Sequence, residues 1–428
     1  MSAINKKRAL ATVAGLVGVA VVIAGCTDGG SGREGTNAGG PGVEFGADKA
    51  AWQAAFDEAF ADRDDMEIVL NSSNSATSPS SPAIQGMADK VEEYSNGHVS
   101  VEISWSDSIA PITESLEALT DGREDWGNLG TFLRPADFPI MGVFGHEVAT
   151  TRGPSVIADS LSSYAAFIET YWDTPEVIAE FEDKGLAVLN PQAVVGQNIL
   201  ACTQPWTSLA ELQGKQIRVA SQVQAKQAEA LGGVPVTVAF PDLFESLQRG
   251  IVDCLIIGLS TMTSFPGMTD LAPYFMNPES AAFGTNTNSY MAGSSWPDWP
   301  LVLQQLVFDA EAEHEMVNLG QTPQTAQLQV DAIEAAGGAL LEFDQDVEDA
   351  LKAANDAVVE AWSDFPLLDG DDFRERLFAN MEKWEALVEE AGYSDAAFSE
   401  TEAWLEPIDI TAYADLYYEE IVVPNRPS

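Results

Sequence analysis

Arg218 is a cation in the middle of a short apolar run, residues 217–219, inside the segment 211–253. This segment reads as strand, helix, strand, helix, strand, because β-branched runs alternate with helical stretches and two glycines end the first helix. In open α/β sheets, ligand groups lie beside the carboxyl ends of parallel strands. Arg218 is therefore a candidate anion-binding residue. The competing interpretation is a surface ion pair with one of the many acidic residues.

The three histidines do not form a catalytic or metal-binding pattern. His98, His146 and His314 are far apart in the sequence, and neither the HExxH spacing of zinc hydrolases nor the GxSxG spacing of serine hydrolases occurs. His314 lies among three glutamates on a predicted helix, where we expect a solvated face rather than a metal site. The sequence thus predicts no catalytic residue, no metal and no cofactor, which argues against a secreted hydrolase.

The N-terminus resembles a bacterial lipoprotein signal. Three cations at 6–8 precede an apolar run at 9–23, and the sequence Ile-Ala-Gly-Cys ends at Cys26. This resemblance implies cleavage before Cys26 and attachment of a diacylglyceryl group to its thiol. Residues 1–25 are then the signal peptide, and residues 26–47 are a flexible tether of an extracytoplasmic, lipid-anchored protein. An ordinary signal peptide or an uncleaved anchor is the alternative.

The other two cysteines, Cys202 and Cys254, lie in strand-like runs. Outside the cell they are able to pair, and a disulfide between them would join neighbouring strands. Two buried thiols are the alternative. A catalytic thiol is disfavoured, because no histidine is near either cysteine in the sequence.

The chain is strongly acidic. Among its 428 residues, 67 are Asp or Glu and 20 are Lys or Arg, so that the formal net charge is −47. Such a surface repels phosphate, which excludes nucleic-acid binding. The acids are spread along the whole chain, as expected of a solvated surface and of a salty environment, where charge repulsion is screened. With 46% hydrophobic residues, the chain can form two or three globular domains.

Strand and helix patterns alternate through the body of the chain and predict an α/β fold. Strands are predicted at 66–70, 99–105, 126–131, 187–190, 198–202, 217–219, 234–240, 255–258, 274–276 and 289–292. From Trp299 to Gly337 apolar residues recur at helical spacing, and the interruptions at Gly320 and Pro323 predict a kink or two helices. Two more amphipathic helices follow, and the acidic, aromatic stretch 394–428 is expected to wrap the body.

Four segments carry a family resemblance: MEIVLNSSNSATSP, EYSNGHVSVEI, LAELQGKQIRV and ALGGVPVTVAFPDLFESLQRGIVD. Together they are similar to the extracytoplasmic solute-binding proteins of TRAP transporters, in the dicarboxylate-type, DctP-like branch, over residues 66–365. The resemblance implies a two-lobe, periplasmic-binding-protein-like α/β fold with crossover strands and a ligand cleft between the lobes. It also implies closure on the ligand and delivery to a permease of small and large membrane subunits, driven by an ion gradient.

The resemblance sets expected boundaries. We expect residues 48–195 in lobe I, residues 196–275 in lobe II, and residues 276–337 to return to lobe I and include a long connecting helix. Residues 338–392 are expected to be helices of lobe II, and residues 393–428 a C-terminal extension. The protein is expected to act as a monomer. An ABC-type solute receptor, which shares the two-lobe design but uses a different permease, is the alternative.

The resemblance also assigns site residues. The arginine of the family's G-K-x-I-R-V strand holds the ligand carboxylate, and Arg218 stands at that position. A planar guanidinium suits this role, because it can donate two parallel charge-assisted hydrogen bonds to a carboxylate. The other matched positions, from both lobes, are aromatic, small or polar: Phe240, Ser221, Asn71, Ser72, Gly130, Thr131 and Asn277.

Two departures from the family pattern indicate which kind of acid is bound. Asn198 or a neighbour occupies the place of a second arginine that some relatives carry, and polar ligand contacts after the last strand become the apolar residues 255–257. A single cation surrounded by Phe240, Trp126 and Ile257 favours a monocarboxylate with an apolar or aromatic body. A dicarboxylate or a sugar acid is disfavoured.

Overall fold

The computed structural model describes residues 39–78, 81–146, 157–193, 198–238, 242–258, 262, 267–285, 288–394 and 408–428, with the backbone alone at 322–326 and 329. The strands are β1 (Met66–Ser72), β2 (Val99–Trp105), β3 (Trp126–Leu129), β4 (Ala187–Asn190), β5 (Asn198–Cys202), β6 (Gln216–Val219), β7 (Val234–Thr237), β8 (Cys254–Gly258), β9 (Tyr274–Met276), β10 (Ser289–Ala292) and β11 (Ala339–Leu341).

The α-helices are α1 (Lys49–Ala59), α2 (Ser81–Tyr94), α3 (Ser115–Asp121), α4 (Met141–Phe144), α5 (Ala158–Trp172), α6 (Pro175–Glu182), α7 (Leu209–Leu212), α8 (Gln222–Ala230), α9 (Leu243–Gln248), α10 (Met268–Leu271), α11 (Leu301–Ala335), α12 (Gln345–Glu360), α13 (Gly370–Glu390), α14 (Thr411–Tyr417) and α15 (Val423–Asn425). Short 3-10 turns occupy Ile112–Glu114, Thr131–Leu133, Trp296–Asp298 and Ala361–Asp364, and Tyr418–Val422 is a π-turn. In the part of the chain described, none of these helices combines the length and the apolar character that a membrane crossing requires.

Two separate sheets define two lobes. The first has the strand order β2-β1-β3-β10-β4, and the second has the order β11-β9-β5-β8-β6-β7. β1 is parallel to β2 and β3, and β6 is parallel to β7 and β8. Parallel neighbours need long crossovers, which here contain α2, α3, α8 and α9. The predicted two-lobe α/β fold is confirmed.

The chain passes between the two sheets more than once. It leaves the first sheet after β4 and enters the second at β5, returns from β9 to β10, and reaches β11 through the 35-residue helix α11. Each sheet is therefore assembled from distant parts of the sequence. The connections between the lobes therefore lie between β4 and β5 and between β9 and β10.

The faces of the second sheet decide where Arg218 points. Leu255 and Ile257 of β8 pack in one apolar core of this lobe, and Ile217 and Val219 of β6 pack in another. Arg218 is paired in register with Leu255. Because side chains alternate along a strand, Arg218 faces the same side of the sheet as Ile257.

Cys202 and Cys254 form a disulfide, with an S–S distance of 2.02 Å. They are direct neighbours on the antiparallel strands β5 and β8. Of the two alternatives that the sequence left open, the structure thus contains the disulfide and not the two buried thiols. The cross-link joins positions 52 residues apart, which restricts the unfolded chain.

α11 is one continuous helix, so the alternative of two separate helices at Gly320 and Pro323 is wrong. Gly320 is at a close crossing with the C-terminal segment. The amide of Ile408 donates a hydrogen bond of 3.2 Å to the Gly320 carbonyl oxygen, and a Cβ atom at Gly320 would lie 3.4 Å from the Ile408 oxygen. The glycine serves this approach and does not end the helix.

Two late segments pack on the first lobe. We expected all of residues 338–392 in the second lobe, but only β11 and α12 belong there, with α12 packed on α8, whereas α13 packs on α5. Phe373 and Trp384 of α13 belong to the large first-lobe core. Amphipathic spacing predicts that a helix buries one face but does not indicate against which lobe. The C-terminal segment 408–428 joins the same core through Tyr413, Tyr417, Ile421 and Val422, consistent with the expected wrapping of the body.

Candidate ligand-binding site

Arg218 is the third residue of β6 and is 7% exposed. Its Nη1 atom donates a hydrogen bond of 3.2 Å to the carbonyl oxygen of Ile256 on β8. The Nε–H group is buried and has no hydrogen-bond acceptor among the described residues. None of their carboxylates lies within the 4.0 Å ion-pair distance of this guanidinium. The surface ion pair considered as an alternative is therefore not formed with the described residues.

The electrostatic state of Arg218 follows from its burial. Loss of water lowers the pKa of its guanidinium to about 10, so that it is still charged at neutral pH. A buried cation without a counter-charge is costly, and a carboxylate would offset both the charge and the unsatisfied N–H group. The position is therefore suited to an anionic ligand.

Asn198 begins β5 directly opposite Gly258, the last residue of β8. It is 8% exposed, and its Nδ2 atom donates a hydrogen bond of 2.6 Å to the carbonyl oxygen of Gly284. Asn198, the candidate for the place of a second arginine, thus holds the connection between β9 and β10.

Two glutamines of α8 hold the same connection. Gln224 donates a hydrogen bond of 2.8 Å from Nε2 to the Gly284 carbonyl oxygen, and Gln227 accepts one of 3.0 Å from the Gly284 amide. Gln227 and Asn355 of α12 also donate to the carbonyl oxygen of Ala282, at 3.1 and 2.9 Å. Sequence reasoning missed these residues. The available signal was a pair of glutamines three positions apart on a helix face that otherwise carries apolar residues.

The remaining second-lobe candidates lie at the same sheet edge. Ser221 follows β6 and caps α8, because its Oγ atom accepts a hydrogen bond of 3.2 Å from the Gln224 amide. Ile257 is 3% exposed in the core on the Arg218 face. Asn277 follows β9 and is 7% exposed, and its Oδ1 atom is buried without a hydrogen-bond partner among the described residues. Strand directions bring Asn277, Asn198 and Ser221 to one edge of the sheet.

The first-lobe candidates lie at the carboxyl ends of β1 and β3, which are parallel. Asn71 donates a hydrogen bond of 3.1 Å from Nδ2 to the Ala110 carbonyl oxygen, and its Oδ1 atom is buried without a partner among the described residues. The Oγ atom of Ser72 accepts a hydrogen bond of 3.2 Å from the Asn74 amide. A small cavity beside Asn71 and Ser72 also includes Asn128 in its wall.

Gly130 and Thr131 follow β3. A Cβ atom on Gly130 would lie 2.9 Å from Cγ1 of Ile112, so that the glycine allows close packing against the turn at Ile112–Glu114. Thr131 is fully buried and begins the next short turn. Both residues shape the carboxyl edge of the first sheet.

Glu124 is a buried acid next to Asn71 that sequence reasoning missed. It is 1% exposed, and neither carboxyl oxygen has a hydrogen bond of good geometry to a described residue. A Cβ atom added at Gly127 would lie 3.1 Å from the Asn71 carbonyl oxygen and 3.5 Å from Oε2 of Glu124. Burial raises the pKa of Glu124 to about 8. In a chain with 67 acidic residues, no local pattern distinguishes this buried acid from the many exposed ones.

Trp126 does not lie where we expected it. Its side chain is fully buried in the first-lobe core, and its Nε1 atom donates a hydrogen bond of 3.3 Å to Oε2 of Glu311 on α11. The residue faces α11 because β3 alternates its side chains, and we leave it out of the ligand site. Two other candidates, Cys26 and Phe240, lie outside the described residues.

One group of side chains in the described residues has the composition and closeness of a metal site: Glu311, His314 and Glu315. They are 0%, 3% and 1% exposed. The expectation of a solvated face at His314 is therefore wrong, because α11 crosses the first-lobe core and turns these residues inward.

Known proteins resemble the chain both in sequence and in structure. Residues 70–364 match the profile of the DctP family, described as bacterial extracellular solute-binding protein, family 7. The C4-dicarboxylate-binding periplasmic protein DctP of Rhodobacter capsulatus is 28% identical over 193 residues, which are 44% of this chain and 54% of that protein. The chain thus aligns with about half the length of this relative.

Solved structures share the fold at lower identity. DctP7 of Bordetella pertussis, a receptor that binds pyroglutamic acid, has 16% identity and a TM-score of 0.61, over 74% of this chain and 99% of that one. The sugar acid binding protein DctPAm of Advenella mimigardefordensis, in complex with galactonate, has 18% identity and a TM-score of 0.61, over 76% and 100%. A TRAP periplasmic solute-binding protein of Desulfovibrio salexigens with bound orotic acid has 17% identity and a TM-score of 0.60, over 75% and 99%.

The family match covers well over half of the chain, and its members are binding proteins, in agreement with the prediction that the chain is not an enzyme. The structural neighbours share the fold of this chain. The chain therefore belongs to the DctP family of bacterial extracellular solute-binding proteins.

Proposed function

We propose that the protein is an extracytoplasmic receptor that captures a small organic acid and delivers it to a TRAP-type permease driven by an ion gradient. The observation that carries this proposal is Arg218, a cation 7% exposed, with an unsatisfied Nε–H group and no carboxylate partner among the described residues. A ligand carboxylate supplies what this residue lacks.

Binding is proposed to close the two lobes. The polar groups of the site come from separate sheets: Arg218 and Asn277 from the second, and Asn71 and Ser72 from the first. A ligand favours the closed form only if it makes contacts there that the open form lacks. Contacts from both lobes to one molecule meet this requirement.

The proposed ligand is a monocarboxylate with an apolar body. The neighbours of Arg218 on its face of the sheet, Leu255, Ile257 and Val236, are apolar. Asn198, in place of a second cation, is engaged with the Gly284 carbonyl group. Two solved relatives bind pyroglutamic acid and orotic acid, each of which has one carboxylate on a ring, and these compounds are suitable first probes.

Isothermal titration calorimetry against three ligand classes tests the proposal. We would titrate ring and aromatic monocarboxylates, C4-dicarboxylates and sugar acids, and would compare each acid that binds with its primary amide. We expect tight binding of a monocarboxylate and at least a tenfold loss for the amide, about 1.4 kcal/mol or more, because hydrogen bonds to charged groups are worth about 1.5–3 kcal/mol. Tight binding of only C4-dicarboxylates or sugar acids would contradict the ligand class, and equal binding of acid and amide would contradict the role of the carboxylate.

The lipid anchor is a separate part of the proposal and rests on the sequence around Cys26. Replacing Cys26 with Ala removes the thiol that would carry the diacylglyceryl group, so we expect the protein to move from the membrane fraction to the soluble extracellular fraction with unchanged ligand affinity. Thr27→Ala, at the neighbouring position, is the matched control and should stay membrane-bound. Retention of Cys26→Ala in the membrane fraction would show that the thiol is not the anchor.

A further inference from the structure

We propose that Glu311, His314 and Glu315 form a binding site for a divalent transition-metal ion, of the Zn²⁺ or Mn²⁺ class, in the core of the first lobe. The three residues lie within one turn of α11, at positions i, i+3 and i+4, which share one helix face. Each offers one ligand atom, and the three atoms lie within 4.8 Å of one another. This site is separate from Arg218, which belongs to the second sheet.

The distances between the ligand atoms favour a shared cation over a direct ion pair. Nδ1 of His314 is 3.3 Å from Oε1 of Glu311 and 3.6 Å from Oε1 of Glu315. A charge-assisted hydrogen bond between imidazolium and carboxylate would be shorter, about 2.7–2.9 Å. Two ligands at about 2.0–2.2 Å from a tetrahedral ion are about 3.3–3.6 Å apart, which is the spacing of these pairs.

The outer oxygens of both carboxylates are held by donors from other elements. Trp126 of β3 donates a hydrogen bond of 3.3 Å to Oε2 of Glu311, and Tyr164 of α5 donates one of 3.4 Å to Oε2 of Glu315. The hydroxyl of Tyr164 accepts a further hydrogen bond of 3.0 Å from Asn190. Because the outer oxygens are engaged, the inner oxygens converge on Nδ1. Outer donors that orient carboxylate ligands are a regular feature of metal sites.

His314 also has a partner on the side away from the carboxylates. Its Nε2 atom lies 3.1 Å from the side-chain amide of Asn318. A metal bound at Nδ1 leaves the proton on Nε2, and the amide oxygen of Asn318 would accept it once the amide group turns by half a rotation. The rings of Tyr290 and His314 pack edge to face, with 5.4 Å between their centroids and 86° between their planes.

The charge and type of the ligands define the class of ion. Two buried carboxylates and a neutral imidazole balance a divalent cation, whereas a protonated imidazole offsets only one carboxylate charge. An imidazole nitrogen is a poor ligand for Na⁺, Ca²⁺ or Mg²⁺, which prefer oxygen donors, and a good one for Zn²⁺ and Mn²⁺ in combination with carboxylates. Through Trp126 and Tyr164, the ion would join α11 to β3 and α5. The site would then be structural, loaded as the lobe folds.

Metal analysis of the full chain tests the proposal. The protein would be treated with a chelator, loaded with ZnCl₂ or MnCl₂, freed of loosely held metal by gel filtration and analysed by mass spectrometry for metal content. We expect about one equivalent of Zn²⁺ or Mn²⁺ per chain and a higher melting temperature than that of the metal-free protein. Less than a tenth of an equivalent of either metal, or retention of Ca²⁺ alone, would overturn the proposal.

Two variants on the same helix make the test specific. Glu311→Gln keeps the shape of the side chain but removes the charge of a direct ligand. We expect at least a tenfold weaker affinity for Zn²⁺, because loss of a residue that only supports a metal ligand already weakens binding about tenfold or more. Glu313→Gln makes the same change at an exposed position, where the side chain is 47% exposed, and should bind like the parent. If both variants lost Zn²⁺ affinity equally, or if neither lost any, the result would contradict the proposed site.

Cobalt substitution provides a readout that does not depend on a variant folding. Co²⁺ bound by imidazole and carboxylates in the parent chain should give visible ligand-field bands that saturate at about one equivalent and disappear when Zn²⁺ is added. A spectrum of hexaaquo Co²⁺ at all ratios would contradict the assignment.

Discussion

Arg218 and Glu124 are ionisable side chains of opposite sign, each in the interior of a different lobe. Burial lowers the pKa of the Arg218 guanidinium to about 10 and raises the pKa of the Glu124 carboxyl to about 8. Both shifts have the same cause, since removal of water disfavours the charged form. At neutral pH the arginine is still a cation while the glutamate is largely protonated. The second lobe thus supplies the charge that an organic acid needs, and the first lobe does not oppose it with a carboxylate at Glu124.

The buried carboxyl of Glu124 makes folding stability dependent on pH. Its pKa is about 8 in the folded chain and 4.5 as the ordinary value, so its contribution is fully present below pH 4.5 and is lost as the pH rises to 8. In this window the folded chain keeps a proton that the unfolded chain has released, and the loss approaches about 1.4 kcal/mol per pH unit. Glu124→Gln removes this loss, so we expect the variant to gain stability over the parent from pH 5 to pH 8 in urea unfolding.

Glu114→Gln is the matched control, because Glu114 is exposed and lies on the stretch of chain that leads to Glu124. Its pH profile should follow that of the parent. A Glu124→Gln profile parallel to the parent over the whole window would mean that Glu124 is ionised in the folded protein.

At the scale of single residues, the sequence predicted the strand ends on which the candidate residues lie better than it predicted their hydrogen-bond partners. Arg218 was identified because it interrupts an apolar strand beside a helix start. The hydrogen bond from Asn198 to Gly284 could not be predicted, because the two residues are far apart in the sequence and only the folded chain brings them together. Trp126 was misassigned because alternation along a strand does not show which face meets a ligand.

At the scale of elements, the C-terminal segment 408–428 fastens the start of the body to α11. Arg426 forms an ion pair with Asp309 of α11 at 2.8 Å, and the two side chains are 8% and 5% exposed. Arg426 also donates to the carbonyl oxygen of Val43, and Gln305 of α11 bonds both the Val43 amide and the Pro427 carbonyl oxygen, each at 2.8 Å. The tether predicted to end at residue 47 therefore meets the folded body already at Val43.

Removing one partner of this buried ion pair should destabilise the protein strongly. Arg426→Ala leaves Asp309 buried without its cation, and we expect a loss of about 3–5 kcal/mol in the free energy of unfolding. Arg374→Ala removes an exposed pair, with Arg374 34% and Asp371 62% exposed, and should cost at most about 1 kcal/mol. Chemical unfolding measures both losses, and equal losses would contradict a stabilising role of the buried Arg426–Asp309 ion pair.

The order and bounds of most elements follow from hydrophobic periodicity. β2 spans 99–105 and β4 spans 187–190 as predicted, because turn residues flank both runs. The partners of helices are harder to predict, as α13 illustrates. Its apolar stripe shows that one face is buried but not against which surface. The helix packs on α5, about 200 residues earlier in the chain, because the path of the chain between the lobes brings the two helices together.

At the scale of the whole molecule, the net charge of −47 opposes compaction through self-repulsion. Salt screens this repulsion, since the Debye length falls from about 30 Å at 0.01 M to about 3 Å at 1 M. We therefore expect the melting temperature, measured by calorimetry, to rise as KCl is increased from 0.01 M to 1 M. A melting temperature that falls over this range would show that attractive ion pairs outweigh the net repulsion.

The most direct test of the central claim is the ligand affinity of Arg218→Lys, measured by isothermal titration calorimetry with an acid that the parent binds. Lysine keeps the charge but cannot donate two parallel hydrogen bonds to a carboxylate, so we expect a loss of about 1.5–3 kcal/mol in binding free energy. Arg249→Lys, the same change at a side chain 66% exposed, should bind like the parent. Parent-like affinity of a folded Arg218→Lys variant would contradict the claim that Arg218 binds the ligand carboxylate.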